Sequence, residues 1–398
     1  MIFNTWEFAL FAAVVLPVYW LAVPQRWKPH YLIAAGTFFY ACSVPAYLGL
    51  IVALAGITYA ALRALTAPAT TPGRRKLVFA LAVVAVVGVL GFFKYTKLFA
   101  STVDAIARHN VLPAPQIVVP LAISFFTFEF VHVLVDAYLG KLKSVDALEF
   151  SAFAMFFPTL VAGPIKRYET FAPQVRAIEP LTRDELALNM YRIGIGLVKK
   201  IVLADSLSVL TQPIVAPGDP FGRLDYWVAA VAYAGKILFD FSGYSDIAIG
   251  VAGLLGLKIP ENFDRPYWAA NIGAFWRRWH MSLSSWIRDY IFIPLGGSRR
   301  PPLVVALNLL VAMTIAGLWH GAAWTFVVWG LWHGLGLAVH RVWSAKVVPL
   351  VPALRAGGPA ITALSIVSTF AFVDAGWILF AATSFPNAAR VYRGLFTG

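Results

Sequence analysis

The sequence predicts an all-helical, polytopic integral membrane protein, and three observations carry that reading. Of its 398 residues 60% are hydrophobic and 13% charged, with a mean hydropathy of +0.74. A soluble chain carries roughly 45–50% apolar and about 25% charged residues, so most of this surface must face lipid. Apolar runs approaching the ~20 residues that span a bilayer recur along the chain. Charge, proline and glycine gather between the runs.

About ten stretches qualify as spanning or re-entrant helices. The clearer ones lie near residues 6–23, 31–43, 46–65, 77–93, 117–139, 147–163, 186–215, 224–256, 303–318, 322–343 and 359–383. The first lacks a basic leader, has Glu7 in front of its apolar core and shows no small-residue cleavage site, so it is expected to stay as a helix. Basic or Pro-rich loops separate the runs, notably 67–76, 166–183 and 298–302, which the positive-inside rule assigns to the cytoplasm. Arg26, Lys28, Lys94, Lys97, Arg108, Lys141 and Lys143 spread charge over other loops, so orientation stays open. No repeat or long polar linker divides the chain, which predicts one membrane domain over 1–398.

The 32 Lys and Arg against 19 Asp and Glu give a net charge of +13. In a soluble protein this would suggest nucleic acid; here it fits cytoplasmic loops against anionic lipid headgroups, and a basic vestibule also suits an anionic substrate. No nucleic-acid partner is expected. The lone Cys42 excludes a disulfide framework, a Cys-ligated zinc site and an iron–sulfur cluster. No metal site and no bound cofactor are predicted.

Charge returns between 258 and 300, with seven Lys or Arg against three acids, a net +4. This segment is too polar to span, and it belongs in the interface or dips into the protein from it. Its aromatics Trp276, Trp279 and Trp286 are spaced for one helix face. Nine of the 14 tryptophans fall between 268 and 343; an interfacial aromatic belt would account for part of that.

Of the seven histidines, His30 and His109 read as loop residues, His132 lies alone in an apolar span, and His340 precedes Arg341 at a helix end. His320 differs: it sits in GLWHGAAW (317–324) between two strong apolar runs, where an ionisable side chain is costly. Gly317 and Gly321 flank it at a spacing that admits close approach of another backbone or of a substrate. His333 repeats the Trp-His-Gly surroundings 13 residues on, about 20 Å away along a continuous helix, and reads as structural. His280 lies beside Arg277 and Arg278, which would keep its imidazole neutral and able to accept a proton; it reads equally as a histidine hydrogen-bonded within an interfacial helix.

No Walker A loop, dinucleotide-binding glycine motif, HExxH or nucleophile elbow occurs. Asp240, Ser242, Tyr244, Ser245 and Asp246 form a polar insert within the apolar run 224–256. They read either as support for a base and a substrate path or as hydrogen-bonded glue between helices.

The segments FWRRWHMSLSSWIRDYIFIPLGG (275–297) and GLWHGAAWTFVVWGLWHG (317–334) resemble the signature regions of membrane-bound O-acyltransferases, in the bacterial branch typified by the alginate O-acetylation protein. Supporting likeness runs through 123–140, 156–168, 240–256 and 260–272, giving a motif-bearing core of about 120–334. The resemblance implies a helical core around a buried tunnel, His320 as the catalytic residue and His280 as a second functional position. It also implies transfer of an acetyl or other acyl group from a thioester donor such as acetyl-CoA to a hydroxyl. In that setting Arg277, Arg278 and Arg288 are expected either as counter-charges for donor phosphates or as headgroup anchors. Asn262, Trp279, Ser284, Trp319 and Trp324 would line the substrate path. The expected setting is the bacterial cytoplasmic membrane, with a separate extracytoplasmic acetyltransferase as partner. Two other functions stay in view: D-alanyl transfer from a carrier protein, and a proton-coupled transporter or flippase, which no inverted repeat supports.

Overall fold

Thr5 opens the first helix by accepting the Phe8 N–H through its hydroxyl, the usual device for an orphan donor at a helix start. From there the computed structural model, which describes residues 3, 5–112, 116–216 and 221–397, is helical throughout, and among the described residues no strand forms. In order the helices are α1 (Trp6–Leu21), α2 (Lys28–Ser43), α3 (Leu48–Thr66), α4 (Pro72–Leu90), α5 (Thr96–Ala107), α6 (Ile123–Tyr138), α7 (Ala147–Ala154), α8 (Phe157–Leu160), α9 (Tyr168–Arg176) and α10 (Arg183–Leu197). There follow α11 (Asp205–Leu210), α12 (Gln212–Val215), α13 (Arg223–Leu254), α14 (Ile272–Arg278), α15 (Met281–Ile287), α16 (Pro302–His320), α17 (Trp324–Val342), α18 (Pro352–Ala356), α19 (Pro359–Ala381) and α20 (Phe385–Gly394).

Five stretches among the described residues are long and apolar enough to cross a membrane: Pro45–Thr66, Pro72–Ala107, Arg223–Leu254, Pro302–His320 and Pro359–Ala381. The fold is an all-α polytopic membrane protein. Of the other apolar runs, 322–343 forms the unbroken 19-residue α17, and two are interrupted for local reasons. The run at 147–163 is broken at Met155, before Pro158 starts α8. That at 186–215 passes through a π-helical turn, Val198–Ala204, and meets Pro213. His30, read as a loop residue, lies in the first turn of α2.

The chain divides into two compact units, Met1–Leu197 with Tyr244–Pro260, and Val198–Gly243 with Glu261–Gly398. In the first, the Tyr19 hydroxyl and the Trp20 indole N–H donate to the carbonyls of Leu255 (3.0 Å) and Leu254 (2.8 Å). Gly36 lets α2 meet the end of α7, where a Cβ would stand 1.6 Å from the Met155 oxygen. Glu129 on α6 and Lys166 form a buried ion pair, with the ammonium 4.4 Å from the Phe153 ring centre. His132 accepts the Tyr168 N–H through Nε2 (3.1 Å), which gives that histidine a structural place. Leu77, Leu81 and Val84 on α4 stay exposed, as residues facing lipid do.

The second unit is built on α16 and α17. A Cβ added to Gly317 would lie 2.2 Å from the Phe326 oxygen, and one on Gly330 would lie 2.3 Å from the Met313 oxygen. Gly334 likewise meets Leu310, so the two helices run antiparallel with their backbones in contact. The close approach expected of Gly317 is made by the next helix of the same chain. The C-terminal α19 packs along α17 and carries Trp377 and Phe380 into the shared core.

Candidate active site

The segment from 262 to 264 lies beside that from 278 to 281. The Asp264 N–H donates to the Arg278 carbonyl (3.0 Å), the Met281 N–H donates to the Asn262 carbonyl (2.9 Å), and Phe263 and Trp279 form an antiparallel bridge. This pairing ends α14 at Arg278 and starts α15 at Met281, with His280 between them at φ 43° and ψ 55°. The left-handed region costs a non-glycine residue about 1–2 kcal/mol, and such strain persists where the surroundings dictate it. The continuous helix expected to align Trp276, Trp279 and Trp286 on one face is therefore absent: the chain turns at His280.

His280 is fully buried. Its Nδ1 lies 3.4 Å from Asn262 Oδ1, which also accepts from the Ser282 hydroxyl (2.6 Å) and the Ser282 N–H (3.3 Å). An oxygen already serving as acceptor calls for a proton on Nδ1, so the ring carries its lone pair on Nε2. That nitrogen is buried and has no hydrogen-bond partner in the fold. Burial, helped by the neighbouring His320, holds the His280 pKa well below the usual histidine range.

His320 is the last residue of α16, and Gly321 turns the chain away. Its ring centre lies 6.3 Å from that of His280, at an interplanar angle of 62°. Trp319 (4.9 Å), Trp329 (5.3 Å) and Phe380 (5.0 Å) surround it, and Trp319 and Phe241 also meet His280 edge-on at 5.7 and 4.6 Å. A Cβ on Gly321 would stand 2.1 Å from the Phe326 ring, so any larger residue there would push Phe326 out of its place. His333 is nearer to this centre than its 13-residue separation implies. The chain reverses at 321–323, and Trp329 stands between the two histidines, 4.9 Å from His333.

The other predicted residues separate. Arg278 lines a cavity with Asp264, Arg265 and Trp268. Arg288 is exposed and pairs with its neighbour Asp289 at 2.8 Å, and Arg277 lies beside Gly273 and His340. The Ser284 hydroxyl donates to the Trp279 carbonyl (3.0 Å), Trp279 packs on Trp377 at 4.8 Å, and Trp324 is 48% exposed at the start of α17. In the polar insert Asp240 pairs with Lys200 (2.6 Å), Asp246 with Arg192 (3.1 Å), Ser242 is buried, and Tyr244 stacks on Phe3 at 4.5 Å. Both acids of the insert are thus held by basic partners, and Phe241 is the residue of the insert that touches His280. Asn262, expected to line the substrate path, instead meets His280; the places of Phe241, Trp329 and Phe380 around the imidazoles had no signature in the sequence, because each depends on residues distant along the chain.

The buried His280 imidazole, with one lone pair unengaged and the His320 ring beside it among aromatic side chains, suits proton removal from a hydroxyl. Comparison with known proteins decides the family. A sequence model described as "MBOAT, membrane-bound O-acyltransferase family" matches residues 89–370. The chain belongs to the membrane-bound O-acyltransferase family. It is 36% identical over 403 residues to "Probable alginate O-acetylase AlgI" of Azotobacter vinelandii, covering 100% of this chain and 78% of that protein. It is 34% identical over 435 residues to the peptidoglycan O-acetyltransferase of Helicobacter pylori, covering 99% of this chain and 80% of that one. A teichoic acid D-alanyltransferase of Streptococcus thermophilus is 36% identical over 244 residues, 57% of this chain and 58% of the relative. This membrane-bound O-acyltransferase is an alginate-acetylase-like member of the family, an enzyme of O-acyl transfer and a multi-pass membrane protein.

Proposed function

We propose that the protein transfers an acetyl group from acetyl-CoA toward hydroxyls of an extracytoplasmic polysaccharide or cell-wall polymer. It would work in the bacterial cytoplasmic membrane beside a separate extracytoplasmic acetyltransferase. The observation that carries this reading is the pairing of the fully buried His280 with His320, their rings 6.3 Å apart. The names of the alginate and peptidoglycan relatives point to the same acceptor classes.

In this mechanism His320 accepts the proton of the acceptor hydroxyl as its oxygen attacks the thioester carbonyl carbon. The carbon–oxygen bond forms, the tetrahedral intermediate collapses, the carbon–sulfur bond breaks, and the proton passes from the imidazolium to the departing thiolate. With its proton on Nδ1, His280 presents an acceptor at Nε2. That tautomer suits orienting the acceptor hydroxyl and does not suit donating to the carbonyl oxygen. Trp319, Trp329 and Phe380 set aromatic faces against His320.

Incubation of the purified protein with radiolabelled acetyl-CoA tests this reading. His320-dependent transfer or hydrolysis supports it, and the same release of label from His320→Ala protein refutes it. D-alanyl transfer from a carrier protein is the second reading, favoured by the likeness to the teichoic acid D-alanyltransferase. It predicts label transfer from a charged carrier protein and none from acetyl-CoA.

A further inference from the structure

The turn that positions His280 also walls a second space. Asp264, Arg265, Trp268 and Arg278 bound a cavity of about 640 Å³, within the range of small-molecule sites. Its walls are the two segments that pair around His280, through the hydrogen bond from the Asp264 N–H to the Arg278 carbonyl and the Phe263–Trp279 bridge. Arg278 stands two residues before His280, so the cavity and the imidazole belong to one short stretch of backbone.

Three features define what this cavity would take. Among the described residues no carboxylate forms an ion pair with the guanidinium of Arg265 or Arg278, whereas Arg288 nearby is held by Asp289. Trp268 leaves 69% of its surface open, an aromatic face with room for a planar ring. Arg265 is held at φ 45°, a conformation unusual for a residue other than glycine, so its side chain departs from a fixed, strained backbone position. Two guanidiniums suit phosphate oxygens, an indole face suits a base, and the Asp264 carboxylate can accept from an exocyclic amine.

We propose that this cavity binds the nucleotide end of the thioester donor, an adenosine bearing phosphate groups. The assignment rests on the acetyl-CoA reading above. It makes Arg265, Trp268 and Asp264, together with Arg278, the residues that distinguish a nucleotide thioester from an acyl group on a carrier protein. A lipid headgroup shares the guanidinium chemistry, and tryptophan is common at the membrane interface, so a lipid competitor belongs in the binding test.

The test is calorimetric binding of adenosine 3′,5′-bisphosphate to the full chain in phosphatidylcholine nanodiscs. This probe carries no thioester, so binding is read whether or not acyl transfer occurs. Expected is saturable binding that weakens about tenfold in Arg265→Asn, in Arg278→Gln and in Trp268→Ala. Asn tolerates the left-handed backbone at 265, and Trp268→Phe, which retains an aromatic face, should recover most of the affinity. In a parallel assay the wild type should show a KM for acetyl-CoA at least about tenfold below that for S-acetylpantetheine. Absence of bisphosphate binding, binding indifferent to these substitutions, or displacement by phosphatidylglycerol in the nanodisc would each overturn the assignment, the last identifying a headgroup site. Bisphosphate binding without any acetyl transfer would instead refute the acetyl-CoA mechanism and leave the nucleotide site standing.

Discussion

The imidazoles of His280 and His320 stand 6.3 Å apart and are inclined at 62° to each other, one at a strained turn and one at the last residue of a helix. Neither belongs to a flexible loop, since His280 is fixed through Asn262 and His320 by the backbone contact of α16 with α17. A reaction that needs a hydroxyl and a carbonyl in register benefits from such placement.

Removal of the His320 imidazole should lower acetyl transfer by about 10²–10⁴ without loss of fold, the usual contribution of general-base assistance. The measurement is turnover of radiolabelled donor by His320→Ala protein that elutes and melts like the wild type. Undiminished turnover would remove His320 from the mechanism.

In the proposed mechanism Asn262 acts through His280, whose Nδ1 it meets at 3.4 Å. Asn262→Ala leaves the imidazole free to take either tautomer, and activity should fall about 10–100-fold, as for other groups that orient a functional side chain. Asn262→Asp keeps an oxygen acceptor and should retain more activity than the alanine variant. The reverse order would exclude the assigned tautomer.

The depressed pKa of His280 makes stability depend on pH. In the unfolded chain the imidazole takes up a proton near pH 6.5, and in the folded protein it stays neutral well below that. The unfolded state therefore binds more protons as pH drops under about 6.5, and folding stability falls there while it is level above. Thermal melts at pH 5 and pH 8 should show a larger loss for the wild type than for His280→Gln. Equal losses would mean that His280 titrates normally in the folded state.

Asp246 and Arg192, with side chains 14% and 27% exposed, should behave as a coupled pair. Asp246→Leu alone removes the carboxylate that Arg192 pairs with and should cost about 1–3 kcal/mol, while the double change with Arg192→Leu should recover part of the loss. Residual transfer should follow the folded fraction. Loss of turnover in fully folded Asp246→Asn protein would return Asp246 to the substrate path.

The helical membrane fold was legible because span length and hydropathy are summed over many residues, and no single contact decides them. His320 stood out for the same reason, as an ionisable group between two apolar runs. The turn at His280 was not legible: no glycine, proline or asparagine marks it, and the pairing of 262–264 with 278–281 imposes it from outside. The spacing of Trp276, Trp279 and Trp286 suggested a helix face that this pairing interrupts. The distance of His333 was misjudged because the reversal at 321–323 brings α17 back along α16, placing both histidines against Trp329. Asp240 and Asp246 could not be assigned from spacing, since their partners, Lys200 and Arg192, lie 40 and 54 residues earlier.

The seam between α16 and α17 has a mechanical consequence. At Gly317, Gly330 and Gly334 there is no side chain to compress, and backbone rests on backbone. Prying these helices apart would open a void along their whole length, so the hairpin moves as one stiff beam carrying His320 at its fixed end. Any rearrangement around the imidazoles then falls to the elements packed against this hairpin and not to the hairpin itself.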